Sequence, residues 1–109
     1  MERQTLPANI QKQMKAYRQG FTNVPQDYID WHAARAELAL QELQHEHNII
    51  VHNVHQVNDG WLDGMRVVQA VVETPSGKLH KFVYNDSNQG FMRKYESGGA
   101  GSLHDEDLK

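Results

Sequence analysis

The chain has 109 residues, no cysteine, and a formal charge of −3 with its seven histidines neutral. That length fits one domain with a single modest core. It has no disulfide framework, thiolate metal site or cysteine nucleophile, and its acidic balance argues against nucleic-acid binding through bulk charge. The first seven residues lack the apolar run of a signal peptide, and no run nears the roughly 20 residues of a membrane span. The expectation is therefore a cytoplasmic protein with no membrane partner.

Residues 1–7 read as a frayed leader. Pro7, Ala8 and Asn9 open a first helix that runs to about Gln19, with Ile10, Met14 and Tyr17 at helical spacing. Arg18 suits the negative helix end, and Gly20 stops the helix. A second, longer helix runs from about Pro25 to His45. Pro25 and Asp27 suit its first turn, and Ile29, Ala33, Ala36, Leu40 and Leu43 recur at three or four residues. Trp31 is assigned to this apolar face.

Residues 48–57 read as a first strand, in which strict alternation groups Val51, Asn53, His55 and Val57 on one face and Ile50, His52, Val54 and Gln56 on the other. Residues 58–64 hold two Asp-Gly turn signals and form a loop with Trp61 and Leu62 at its tip. A hairpin follows. Residues 65–74 and 78–84 are its strands, and Thr74-Pro75-Ser76-Gly77 fits a type I turn closed by a glycine bulge. With Thr74 opposite Lys78, the register sets Val72 against His80, Ala70 against Phe82 and Val68 against Tyr84 on one apolar face. The other face carries Val71 opposite Lys81, Gln69 opposite Val83 and Glu73 opposite Leu79, with Glu73 and Lys81 placed for a diagonal ion pair. Residues 91–96 read as a last strand. Residues 97–102 have a glycine-serine linker composition, and 103–109 form an acidic tail.

The fold expected is α+β: two N-terminal helices, then a three- to four-stranded antiparallel β-meander, with the long helix packed on one sheet face. Residues 1–96 form the domain and 97–109 a flexible linker and tail. A helix lying over a meander resembles cystatin-like architectures in outline. That resemblance implies a fold and no function.

Three groups of residues invite a chemical reading. His45, His47, His52 and His55 fall within eleven residues, and imidazole ligates zinc, nickel and copper. Their spacing is poor for a metal. Positions two apart on a helix diverge by about 200°, and positions three apart on a strand lie on opposite faces. No metal and no cofactor is expected. The second group is His80, Arg93 and Lys94, the residues suited to acid–base chemistry on a phosphodiester: His80 as base, Arg93 or Lys94 to stabilise phosphate charge. Helices ahead of an antiparallel sheet resemble the architecture of small bacterial ribonuclease toxins, a likeness of fold that does not carry function. The third group is apolar: Trp61 and Leu62 in the loop, with Val67, Val71, Leu79 and Val83 on the mixed hairpin face. Tryptophan is enriched among interface hot spots, and contiguous exposed apolar surface marks a partner.

The third group leads. The chain reads as a small non-enzymatic protein-binding module (an inhibitor, immunity, adaptor or self-associating accessory protein of the bacterial or phage type) that engages a protein partner or a second copy. The alternative is a small enzyme or ligand binder, ribonuclease-like chemistry included. Its pocket would lie between the long helix and the sheet, with His80, Tyr84 and Trp31 pointing into it.

Overall fold

The computed structural model describes residues 5–19, 25–59, 65–85, 90–95 and 99–109. Helix α1 spans Ala8–Gln19 and α2 Gln26–His47. Strands β1 to β5 run Ile50–Asp59, Met65–Glu73, Leu79–Asn85, Gly90–Lys94 and Ala100–Ser102, followed by a 3-10 turn at Asp105–Leu108. The strands form one antiparallel meander in the order β1-β2-β3-β4-β5. The α+β architecture is as the sequence predicts, with five strands rather than three or four.

The hairpin is built by its turn. Gly77 N–H donates to the Thr74 carbonyl and Thr74 N–H to the Lys78 carbonyl, both at 2.9 Å. Gly77 sits at φ 88°, where a side chain would be strained. The register follows: Val72 opposes His80, Ala70 Phe82, Val71 Lys81, Glu73 Leu79 and Gln69 Val83. The diagonal Glu73–Lys81 pair gives way to another, in which the Glu73 carboxylate meets His52 Nε2 at 2.9 Å.

Strict alternation fails in β1. The register against β2 slips between Val51 and Asn53, so Val51 opposes Val72 and Val54 opposes Ala70. A bulge adds one residue and re-phases the strand. Val51 and Val54 therefore both reach the core, and both are buried.

Both helices cover the same sheet face. Ile10, Met14 and Tyr17 of α1 and Ile29, Ala33, Ala36, Leu40 and Leu43 of α2 join Val68, Ala70, Val72, Phe82, Tyr84 and Phe91 in one core. Helix α2 does not turn Trp31 inward, and its indole is 48 % exposed. The inward position belongs to His32, whose ring lies 6.0 Å from Tyr17 and meets Tyr84 edge-on at 5.2 Å. The helix ends on Asn48 in the left-handed conformation, φ 55°. Asparagine tolerates that conformation better than most residues do.

Helix α1 also manages a sheet edge. β1 is an outermost strand, and an unpaired edge templates aggregation. Gln13 Oε1 accepts from the Val54 N–H at 2.6 Å, which gives that edge amide a partner. Gln13→Leu is expected to cost about 1 kcal/mol through the lost hydrogen bond. A urea melt measures the cost, and faster amide exchange at Val54 reports its location.

The C-terminal residues differ most from the linker-and-tail expectation. Ala100–Ser102 pairs with β4, Arg93 opposite Gly101. Leu103 and Leu108 pack against the core, and Asp107 is buried with Arg93 at 2.7 Å. Ser76 donates to the Lys109 carbonyl, so the end of the chain reaches back to the hairpin turn. At the other end, Leu6 of the expected leader is buried, and its carbonyl accepts from Gln11. No helix among the described residues is long and apolar enough to cross a membrane.

Candidate functional site

β3 outruns β4. It pairs with β2 from Leu79 onward, but its register with β4 starts only at Phe82 opposite Arg93. The end of the sheet is therefore stepped, and a pocket of about 790 Å³ lies there. Gln69 and Val71 of β2, Leu79, His80 and Lys81 of β3, and Arg93, Lys94 and Tyr95 line it. That volume is typical of ligand-binding clefts, which run roughly 300–1,000 Å³.

Alternation decides which groups meet. Val71, Leu79, Lys81 and Lys94 belong to the helix-free face, while His80 and Arg93 belong to the core face and meet the pocket at the step. His80 stacks beside Phe82, ring centroids 5.9 Å apart and planes within 11°. Its Nε2 is buried and has no hydrogen-bond partner among the described residues. Burial, with Arg93 and Lys78 adding to it, pulls the imidazole pKa below the ordinary 6.5 against the opposing pull of Asp107. His80 is thus neutral at pH 7, and its NMR titration midpoint is expected below 6.5.

Arg93 is fixed from behind. Asp107 accepts from Arg93 Nη1 at 2.7 Å and, with its other oxygen, from the His104 N–H at 2.9 Å. Burial alone would raise the Asp107 pKa, but the His104 amide and the Arg93 guanidinium together hold it below its ordinary value. Tyr95 forms the outer wall. Its N–H donates to the Gly99 carbonyl at 3.2 Å, and the Arg93 guanidinium lies 5.7 Å from its ring centre. The phenol crosses Gly101 so closely that a Cβ there would stand 2.3 Å from its hydroxyl. Gly101→Ala is accordingly expected to swing Tyr95 out of the pocket. The half-exposed ring can move, so the change in melting temperature should be small. Tyr95 ring shifts in NMR spectra check this.

The candidate residues of the sequence land as follows. His80, Arg93 and Lys94, the acid–base group, all line this one pocket, and so do Val71 and Leu79 of the contact group. Leu79 is 64 % exposed. Val67 lies in β2 opposite Val57. Val83 is fully buried rather than on offer to a partner, closed in with Met92 and Ala100. It stands on an inner strand between Gln69 and Met92. Trp61 and Leu62 lie outside the described residues. His45 and His47 occupy the last turn of α2. His52 is tied to Glu73, and His55 Nε2 lies 3.1 Å from the Gln69 side chain. No three histidine, aspartate or glutamate side chains among the described residues come together as metal ligands.

Of the residues expected to point into a pocket between α2 and the sheet, Trp31 is turned outward and Tyr84 belongs to the core. Tyr84 and Phe82 are buried there, and Arg35 Nε donates to the Tyr84 hydroxyl at 3.2 Å. Sequence reasoning missed Gln69 and Lys81 as members of the site. The signal available was the hairpin register, which already put Lys81 beside Val71 at the β3 end. In comparisons with family models, curated proteins and solved structures, nothing matches this chain.

Proposed function

We propose that the protein is a non-enzymatic protein-binding module whose contact surface is the helix-free sheet face around this pocket. One observation carries the reading: Val71 and Leu79, apolar and accessible, converge with Lys81, Lys94 and Tyr95 on a concave step that neither α1 nor α2 covers. An apolar centre rimmed by cations and an aromatic ring is the composition of a binding surface. A second copy or a different protein satisfies it.

Helix α2 exposes a rival stripe of Tyr28, Trp31 and Leu38. Its aromatic members are partly satisfied within the stripe. The Arg35 guanidinium sits 4.7 Å above the Trp31 ring, and Tyr28 leans on that ring at 6.0 Å. The test is a photo-crosslinking residue in place of Leu79, with one at Leu38 as the control, in the full chain added to a lysate of the source cells. A discrete protein adduct or dimer from position 79, absent from position 38, is the expected result. Adducts from position 38 alone, or from neither, would overturn the assignment.

A second reading has its own observation. His80, whose Nε2 has no partner among the described residues, shares the pocket with Arg93 and Lys94. That set suits a base beside phosphate-stabilising cations. It expects cleavage of RNA that disappears in His80→Ala, and intact RNA after incubation with the purified protein removes it.

A further inference from the structure

We infer that the pocket receives a carboxylate from an acidic segment of the protein partner, with an apolar residue of that segment beside it. This rests on the sheet face being the contact surface, and it names the chemistry of what docks there.

The charge of the pocket is opposite to that of the chain. The whole sequence holds 14 acidic against 11 basic residues, yet Lys81, Arg93 and Lys94 line the pocket and, among the described residues, no acidic one does. Arg93 is held in place by Asp107, and a guanidinium fixed before the ligand arrives loses less side-chain freedom on binding. His80, whose buried Nε2 has no hydrogen-bond partner among the described residues, lines the pocket beside it. Val71, Leu79 and the Tyr95 ring supply the apolar seat. Alternate residues of an extended segment place one side chain on the cations and the next but one on that seat.

The surroundings choose between an acidic protein and a nucleic acid. Glu73 stands directly opposite Leu79 in the register. The acidic turn Asp105–Leu108, joined to β4 through Arg93, adds Asp105 and Glu106 as exposed carboxylates. A phosphate backbone needs a continuous basic track, and here three cations share a single pocket with Val71, Leu79 and Tyr95. A short segment with one or two carboxylates matches that set.

The test uses the full chain labelled with nitrogen-15 and a capped pentapeptide, Ser-Glu-Ser-Leu-Ser, whose glutamate and leucine stand two residues apart on one side of an extended chain. Amide shifts are expected at Val71, Leu79, Lys81, Lys94 and Tyr95. Raising the salt from low to physiological strength should weaken binding by about tenfold. Lys81→Glu with Lys94→Glu should abolish the shifts, and the milder Lys81→Gln should weaken them, each with an unchanged melting temperature. The same peptide with glutamine in place of glutamate should not bind. Equal shifts with the glutamine peptide, or none with either, overturn the carboxylate assignment. Tighter binding of a short oligouridine at the same residues replaces it with a nucleic acid. A failed peptide titration alongside a crosslink at position 79 removes only the acidic chemistry. A missing crosslink removes the binding-module reading itself.

Discussion

Phe82→Ala lowers the unfolding free energy by about 3–5 kcal/mol, the expected cost of emptying a buried aromatic site. Phe82 is fully buried in the middle of β3, opposite Ala70. The small alanine across the strand pair leaves the ring as the main filler there, so neighbours can close the space only partly. Phe82→Leu keeps most of the volume and should cost less than about 1.5 kcal/mol. Urea denaturation with an unchanged slope measures both. The functional consequence is local, because His80 stacks on Phe82. In Phe82→Ala the His80 titration midpoint should move up toward 6.5 as water reaches the ring. A midpoint that stays where it was would show that Phe82 contributes nothing to the desolvation of His80.

Asp107→Ala is the second large effect, about 1–3 kcal/mol. The carboxylate is buried and accepts from both Arg93 and the His104 amide. Its removal leaves the amide without its partner and Arg93 without its anchor, and the C-terminal turn loses its tie to β4. The pH dependence follows from the direction of the shift. The folded state holds the Asp107 pKa below the ordinary 3.8, so the unfolded chain binds more protons between those two values. The contribution is fully present above about pH 3.8 and is lost as the pH falls through the folded value. The stability gap between wild type and Asp107→Asn should therefore narrow below pH 3.8. His80 acts in the same direction at higher pH. Its neutral form is favoured by the fold, so its contribution is present above 6.5 and declines as the pH falls below that.

Phe82 sits where the sequence was legible and Asp107 where it was not. The hairpin could be read because a single turn, Thr74 to Gly77, fixes every pairing after it. The bulge in β1 could not, since a two-residue period has no mark for an inserted residue. The three-residue gap between Val51 and Val54 was the available hint. Trp31 was misassigned by its hydrophobicity. Its angle on the helix wheel, about 200° from Ile29, points it away from the core, while His32 falls on the buried side. The C-terminus misled through composition. Glycines that read as a linker serve the sheet: Gly99 takes a positive φ just ahead of β5, and Gly101 makes room for Tyr95. The pocket was half legible. His80, Arg93 and Lys94 were singled out for chemistry and Val71 and Leu79 for contact, as two separate lists. Only the step between β3 and β4 brings the lists together, and its depth depends on where β4 turns away, which no local pattern encodes.

The most direct test of the binding surface is hydroxyl-radical footprinting of the wild-type protein alone and in complex with the partner that crosslinking identifies. Oxidation of Leu79 and Tyr95 should fall in the complex, while Trp31 and Leu38 stay as reactive as in the free protein. Protection of Trp31 and Leu38 with Leu79 and Tyr95 unchanged would contradict the account and move the contact surface to α2.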